Sequence, residues 1–189
     1  MLYCINPDCS QPRNPDGATT CAACQSKLTL LRQHYRIVDR LGEGGFAKTY
    51  LAEDTDNFNR RCAVKQLAPN VRGASEMQQA VKLFEQEARQ LQILGRHPQI
   101  PTLHGYFEEQ YWYVVQEFID GQDLWERSRQ QGVCTEDELR DILQDLLSVL
   151  QFVHENNVIH RDITPSNIIR RRSDGKLVLI DFGISKQLS

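Results

Sequence analysis

Three short runs of this chain set hard oxygen donors and a proton acceptor in a fixed order: His160-Arg161-Asp162, then Asn167, then Asp181-Phe182-Gly183. Carboxylate and amide oxygens are the ligands that magnesium takes, and a carboxylate beside a hydroxyl can accept its proton as the oxygen attacks. Phosphoryl transfer asks for that set, because the protein supplies mostly positioning and charge rather than covalent chemistry. Between the runs, Ile168-Ile169-Arg170 and Lys176-Leu177-Val178-Leu179-Ile180 flank the turn sequence Ser173-Asp174-Gly175. This pattern predicts a β-hairpin with Asn167 at the entry of one strand and Asp181 at the exit of the other.

The elements that must position these groups are legible upstream. In Arg61-Cys62-Ala63-Val64-Lys65-Gln66-Leu67 a period of two places Ala63, Lys65 and Leu67 on one strand face, and a small residue beside a lysine suits a nucleotide. From Ser75 to Leu94, apolar residues at Met77, Ala80, Val81, Phe84, Ala88, Leu91 and Leu94 predict a helix opened by a Ser75-x-x-Gln78 capping box and closed by Gly95. Glu87 falls inside that stripe, where an ionised carboxylate is costly unless paired, and Lys65 is the expected cation. Thr135-x-x-Glu138 opens a second helix, with Leu139, Ile142, Leu143, Leu146, Leu147, Leu150 and Val153 in its stripe, running to Asn156-Asn157 beneath the loop of Asp162. Tyr111 to Gly121 reads as an aromatic-rich strand entering an extended connector.

With these motifs in this order the chain resembles the eukaryotic-like bacterial serine/threonine protein kinases. The resemblance implies an α+β fold of two lobes: a sheet-rich first lobe with one helix over 35–117, and a hinge with a partial helical lobe over 118–189. It implies Asp162 as the base, Lys65 and Glu87 as an ion pair on the phosphates, and Asn167 with Asp181 as ligands of magnesium, or of manganese in its place. Leu41-Gly42-Glu43-Gly44-Gly45-Phe46-Ala47-Lys48-Thr49-Tyr50 is similar to the family's glycine-rich loop, with Ala47 where a third glycine usually stands and Thr49 where valine is usual. The ATP contacts it implies are Leu41, Gly42, Glu43, Gly44, Gly45, Phe46, Ala47, Thr49, Ala63 and Lys65, with Ile169 also against the nucleotide. Glu117 and Ile119 would hold the adenine edge through backbone groups, Gln116 would be the gatekeeper, and Asp123 would lie near the ribose.

The first 28 residues are a different object, joined by a linker over 29–34. Cys4-x4-Cys9 and Cys21-x2-Cys24 are two close cysteine pairs around a turn-rich polar segment too short to bury a core. Four thiolates around one zinc would fold such a segment, and the spacing resembles zinc-ribbon knuckles. Disulfides or free thiols are the rival reading. Met1-Leu2-Tyr3-Cys4 shows no basic stretch followed by an apolar run, so no secretory signal is read, and the expectation is a cytoplasmic ATP-using protein with zinc. Cys62 and Cys134 are expected to be small buried hydrophobes.

Two departures shape the expected activity. The family usually places a lysine two residues after the catalytic aspartate, and here that position is Thr164, which can donate a hydrogen bond but carries no charge. The sequence also stops at Ser189, so the Ala-Pro-Glu anchor and the later helices fall outside it. That predicts an uncovered face on the Leu146 and Leu150 stripe, closed by a partner or a missing segment, and weak or absent transfer. The alternative function is therefore an ATP-binding regulator or scaffold. In the family the residue at the position of Arg161 often pairs with a phosphate on the activation segment; Ser185 and Ser189 are the hydroxyls after Gly183, so that switch is expected to be truncated here.

With 189 residues, 40% hydrophobic content and net charge −3, the chain has material for a core, and neither a membrane span nor nucleic acid as partner is expected. Arg170-Arg171-Arg172 reads as a solvated face, and the expected macromolecular partner is a protein substrate with serine or threonine.

Overall fold

The computed structural model describes residues 2–44, 47–68, 73–183 and 186–187. The chain divides into two compact units, residues 1–81 with 104–118 and residues 82–103 with 119–189.

The first unit begins with two paired strands, β1 (Leu2–Tyr3) and β2 (Arg13–Asn14). Its main element is a five-stranded sheet built from β3 (Tyr35–Glu43), β4 (Ala47–Asp54), β5 (Arg60–Leu67), β6 (Leu103–Glu108) and β7 (Trp112–Glu117), ordered β3-β4-β5-β7-β6. Antiparallel pairing sets Lys48 opposite Gln66, Thr49 opposite Lys65 and Lys65 opposite Val114. Successive side chains alternate between faces. One face therefore carries Tyr50, Ala52, Cys62, Val64, Tyr113 and Val115, which with Leu31, Tyr35 and Ile37 form a buried cluster. Tyr3 and Ile5 of the N-terminal segment pack against this cluster. Large apolar side chains buried in this way contribute roughly 1.5–3 kcal/mol each.

Between β5 and β6 runs α1 (Ala74–Leu94). It starts one residue ahead of the predicted cap, so Ser75 lies within the first turn and is not the N-cap. Ala80, Phe84, Glu87, Ala88, Leu91 and Leu94 are buried as the stripe predicts, whereas Met77 is 41% exposed. Gly95 ends the helix at a close approach: a Cβ there would meet the Leu91 carbonyl oxygen at 2.6 Å and that of Pro101 at 3.0 Å.

The second unit contains β8 (Gly121–Asp123), α2 (Leu124–Gln131), α3 (Glu136–Glu155), β9 (Val158–Ile159), β10 (Ile168–Arg171), β11 (Leu177–Leu179) and β12 (Lys186–Gln187). β11, β10 and β8 form one sheet, and β9 pairs with β12. The capping box of α3 forms: the Glu138 amide donates to Thr135 Oγ1 at 3.2 Å, and the Thr135 amide donates to Glu138 Oε2 at 2.9 Å. The buried stripe of α3 is Ile142, Leu146, Val149 and Val153. Here the expected uncovered face is corrected: Leu146 is buried, and the exposed leucines are Leu139, Leu143 and Leu147 at 49%, 48% and 63%. Seven apolar positions make a stripe wider than the neighbouring strands cover. Gln99 and Asp145 tie this helix to the hairpin, since Gln99 Nε2 donates to the Leu177 carbonyl at 2.9 Å and Asp145 Oδ2 accepts from the Leu177 amide at 2.7 Å.

Candidate active site and cysteine cluster

The hairpin forms with the predicted ends. Ile168 stands opposite Leu179 and Arg170 opposite Leu177, so Asn167 enters β10 close to where the chain leaves β11 for Asp181. The Ile180 amide donates to the Asn167 carbonyl at 2.9 Å, extending the ladder by one step. Asn167 Nδ2 donates to Asp162 Oδ2 at 2.9 Å and to the Asp162 carbonyl at 3.1 Å. Both partners are acceptors, so the NH2 end of the amide must face them. The amide oxygen is thereby turned to other work, and it is the atom a hard cation would use.

His160 joins the same two segments from beneath. It is 1% exposed; its Nδ1 accepts from the Asp162 amide at 3.2 Å and its Nε2 donates to the Ile180 carbonyl at 3.1 Å. Burial holds its pKa below the ordinary histidine value, against the Ile180 hydrogen bond and the charges of Asp181 and Asp162. Phe182, fully buried, meets the imidazole edge-on at 4.6 Å between ring centroids. Arg161 and Asp181 both take left-handed backbone, φ 70° and 64°, a conformation costly outside glycine that the surrounding bonds must hold in place. The Gly183 amide donates to Asp181 Oδ1 at 3.2 Å. His160 is legible as part of the His160-Arg161-Asp162 run, but its clasp between the Asp162 amide and the Ile180 carbonyl is not, because those two main-chain partners are far apart in sequence.

Thr164 precedes a 3₁₀ turn, Pro165–Asn167, and its hydroxyl pairs with Ser166 Oγ at 3.0 Å. Asp123 pairs in register with Ile169 and caps α2, accepting from the Glu126 amide at 2.7 Å. Gly121 is required where β8 meets β10: a Cβ would lie 2.3 Å from the Arg170 carbonyl oxygen. The three arginines are spent locally, Arg170 on the Gly175 carbonyl, Arg171 on Asp174 at 2.7 Å and Arg172 on Asp120 at 3.5 Å.

In the first unit, Thr49 and Lys65 sit opposite one another, and Ala63, 7% exposed, shares the Lys65 face by alternation. Leu41, Gly42 and Glu43 end β3, Ala47 begins β4, and the Gly44 amide closes the turn on the Ala47 carbonyl at 2.8 Å. Gly45 and Phe46 lie outside the described residues, as do Ser185 and Ser189. Glu117 ends β7 in the first unit, while Ile119, Asp123, Asp162, Asn167, Ile169 and Asp181 belong to the second, as does buried Glu87.

The four N-terminal cysteines are brought together. Their sulfurs all lie within 4.8 Å of one another, with Cys4 to Cys24 and Cys9 to Cys21 each at 3.6 Å. Zinc–sulfur bonds of about 2.3 Å in a tetrahedron set sulfurs roughly 3.8 Å apart, so the donor set fits that ion. Backbone amides two or three residues on serve the sulfurs, Asn6 for Cys4, Gln11 for Cys9, Ala23 and Cys24 for Cys21, and Ser26 for Cys24. Such amides favour thiolates, the form a metal binds. The Cys24 thiol is drawn down to about 6, chiefly by its hydrogen bond with the Ser26 side chain, while burial pushes Cys4 up. Asn14, buried, donates to Cys21 Sγ at 3.5 Å and accepts from the Ala22 amide at 3.0 Å. Cys62 is buried as expected, but Cys134 is exposed and accepts from Arg127 Nη1 at 3.1 Å, a correction to its reading as a buried hydrophobe.

A family model described as protein kinase domain matches residues 35–189. The chain is 42% identical over 188 residues to serine/threonine-protein kinase B of Synechocystis sp., covering 98% of this chain and 33% of that protein. It is 48% identical over 161 residues to serine/threonine-protein kinase PknA of Nostoc sp., covering 84% of this chain and 28% of that protein. It is 30% identical over 158 residues to calcium/calmodulin-dependent protein kinase type 1 of Caenorhabditis elegans, 82% of this chain and 44% of that protein. The chain thus spans about a third of the length of the first two of these curated relatives.

Proposed function

The chain belongs to the protein kinase family, and on that premise we propose that it transfers the γ-phosphoryl group of ATP to serine or threonine hydroxyls of a protein. The observation that carries the reading is the Asp162–Asn167 pair at 2.9 Å, held beside the exit of β11 from which Asp181 follows. In this reading Asp162 takes the proton of the attacking hydroxyl, and Asn167, by holding that carboxylate, aims it. Asn167 and Asp181 would hold magnesium or manganese, which offsets charge on the phosphates. Lys65 would meet the phosphates and Glu87 would balance its charge, and the glycine-rich loop would cover them. Glu117 and Ile119 present backbone groups to the adenine beside Ala63 and Ile169. Asp123 spends one oxygen as helix cap, and its second oxygen can take a ribose hydroxyl.

The four cysteines would hold zinc as a structural ion that folds the N-terminal segment. A partner or a further segment is proposed to cover Leu139, Leu143 and Leu147. Consumption of ATP argues for a cytoplasmic setting. Among the described residues no helix is long and apolar enough to cross a membrane. Thr164 favours a second reading, a nucleotide-binding regulator, since its hydroxyl is turned to Ser166 and brings no cation to the transferred group.

The test is label transfer from γ-labelled ATP to a generic protein substrate, with nucleotide binding followed separately. Asp162→Asn should lower transfer by about 10²-fold or more while Mg-ATP still binds. Undiminished transfer by that variant would remove Asp162 from the role of base, and binding without transfer by the unaltered protein would leave the regulator.

A further inference from the structure

Two neighbouring side chains on the sheet face opposite Lys65 hold the segment between the first two cysteines. Lys48 Nζ donates to the Pro7 carbonyl at 2.6 Å, and Gln66 Nε2 donates to the Ile5 carbonyl at 3.0 Å. Lys48 and Gln66 are register partners on β4 and β5, and each is followed or preceded in sequence by a member of the pair Thr49 and Lys65. Gln66 is fully buried; it also accepts from the Tyr50 hydroxyl at 3.0 Å and makes a 3.3 Å bond with the Tyr113 hydroxyl. Ile5 and Pro7 are two of the four residues between Cys4 and Cys9, whose positions the sulfur cluster fixes.

We infer that Lys48 and Gln66 are positioning residues that couple metal occupancy of the four-cysteine cluster to nucleotide affinity at the Lys65 face. The inference rests on the reading of Lys65 and the glycine-rich loop as the nucleotide site. The coupling has a physical route. Metal ligation holds Cys4 and Cys9, and hence the carbonyls of Ile5 and Pro7, in place. Those carbonyls satisfy one buried amide and one half-buried ammonium, and a buried polar group that loses its partner must move or draw in water. Movement of these side chains pulls on the backbone of β4 and β5 that carries Thr49 and Lys65, and entry of water loosens the packing beneath it. Lys48 also sits one residue from Ala47, at the base of the glycine-rich loop, and pairs with Glu43 on its other side at 3.5 Å. The two sites lie on opposite faces of one sheet, so the metal acts on the nucleotide without touching it. Linkage then demands the reverse effect: bound nucleotide must tighten the metal by the same factor.

The experiment uses the protein loaded with zinc, stripped by chelator, and reloaded. Affinity for Mg-ADP is read by calorimetry, and zinc affinity by competition with a chromophoric chelator in the presence and absence of saturating Mg-ADP. The expected result is at least about a fivefold loss of Mg-ADP affinity on stripping, recovered on reloading, and an equal tightening of zinc by Mg-ADP. Lys48→Met and Gln66→Met should retain zinc but shrink that factor towards one. Because the linkage is read on the unaltered protein, poor folding of the Gln66 variant leaves the test intact. Equal Mg-ADP affinity with and without zinc overturns the coupling while leaving the kinase reading in place. Coupling that persists in full in a folded Lys48 variant and a folded Gln66 variant overturns the route assigned here. No Mg-ADP uptake by the zinc-loaded protein overturns both the coupling and the nucleotide site it depends on.

Discussion

His160 donates from Nε2 to the Ile180 carbonyl at 3.1 Å, so the loop carrying Asp162 and the strand end that leads to Asp181 are clasped by one buried ring. The ring is neutral in the folded protein, because burial disfavours its cation. An unfolded chain takes up a proton as pH falls through the ordinary value of 6.5, and the folded chain does so only at lower pH. Stability contributed by His160 is therefore complete above about 6.5 and declines as the pH falls below it, with a slope of at most about 1.4 kcal/mol per pH unit. The Asp162 and Asp181 carboxylates facing the ring oppose this shift and shallow the slope. Denaturant titrations at pH 7.5, 6.5 and 5.5 should show the decline, and His160→Gln should flatten it. An unchanged slope in the variant would assign the titration elsewhere.

Asn167→Ala removes both bonds that hold the Asp162 carboxylate and main chain. Transfer should fall roughly 10²-fold, since a displacement of about 1 Å in a reacting group has that effect. Asn167→Asp sets two carboxylates against each other at the 2.9 Å contact and should be at least as damaging unless excess magnesium compensates. Rates measured across a magnesium series separate the two: rescue is expected for the Asp variant and not for the Ala variant.

Thr164→Lys supplies a cation two residues after Asp162 and frees Ser166 from its hydroxyl partner. Transfer should rise by about tenfold, the gain of one charge-assisted contact to the moving phosphoryl group. Mg-ADP affinity should barely change, which distinguishes a transition-state effect from tighter ground-state binding. A rise in affinity with no rise in rate would contradict the role proposed for a cation at position 164.

Gly121→Ala drives a methyl group into the Arg170 carbonyl at 2.3 Å and Ile169 Cγ2 at 2.7 Å. Overpacking of this kind costs about 1–3 kcal/mol, here by parting β8 from β10. A lower denaturation midpoint is expected together with weaker nucleotide binding, because Asp123 and Ile169 stand on those strands. A variant as stable as the parent would show that the strands can separate freely.

Much of this organisation was readable in the residues themselves. The Thr135–Glu138 box formed because both of its bonds are local, and the hairpin formed because turn residues and alternation agree about one register. The two cysteine pairs met because ligand spacing is itself a distance constraint. What escaped were relations made through tertiary contact. Leu139, Leu143 and Leu147 share the helical period with Ile142 and Val153, yet period alone does not say which edge of a stripe a neighbour covers. Ser75 looked like a cap, but the helix began a residue sooner. Gln66 carried no motif, and its three partners come from Ile5, Tyr50 and Tyr113, each remote in sequence.

The alignment of β4 against β5 is a discrete setting rather than a graded one. Were the two ribbons to slip by a single residue, every side chain on the slipped strand would change sides, and the uncharged Gln66 or Val64 would stand where the ammonium of Lys65 now stands. The grip of Lys48 and Gln66 on two carbonyls outside the sheet makes such a slip expensive, so the N-terminal cysteine loop serves as a pawl that keeps the strand in its working notch.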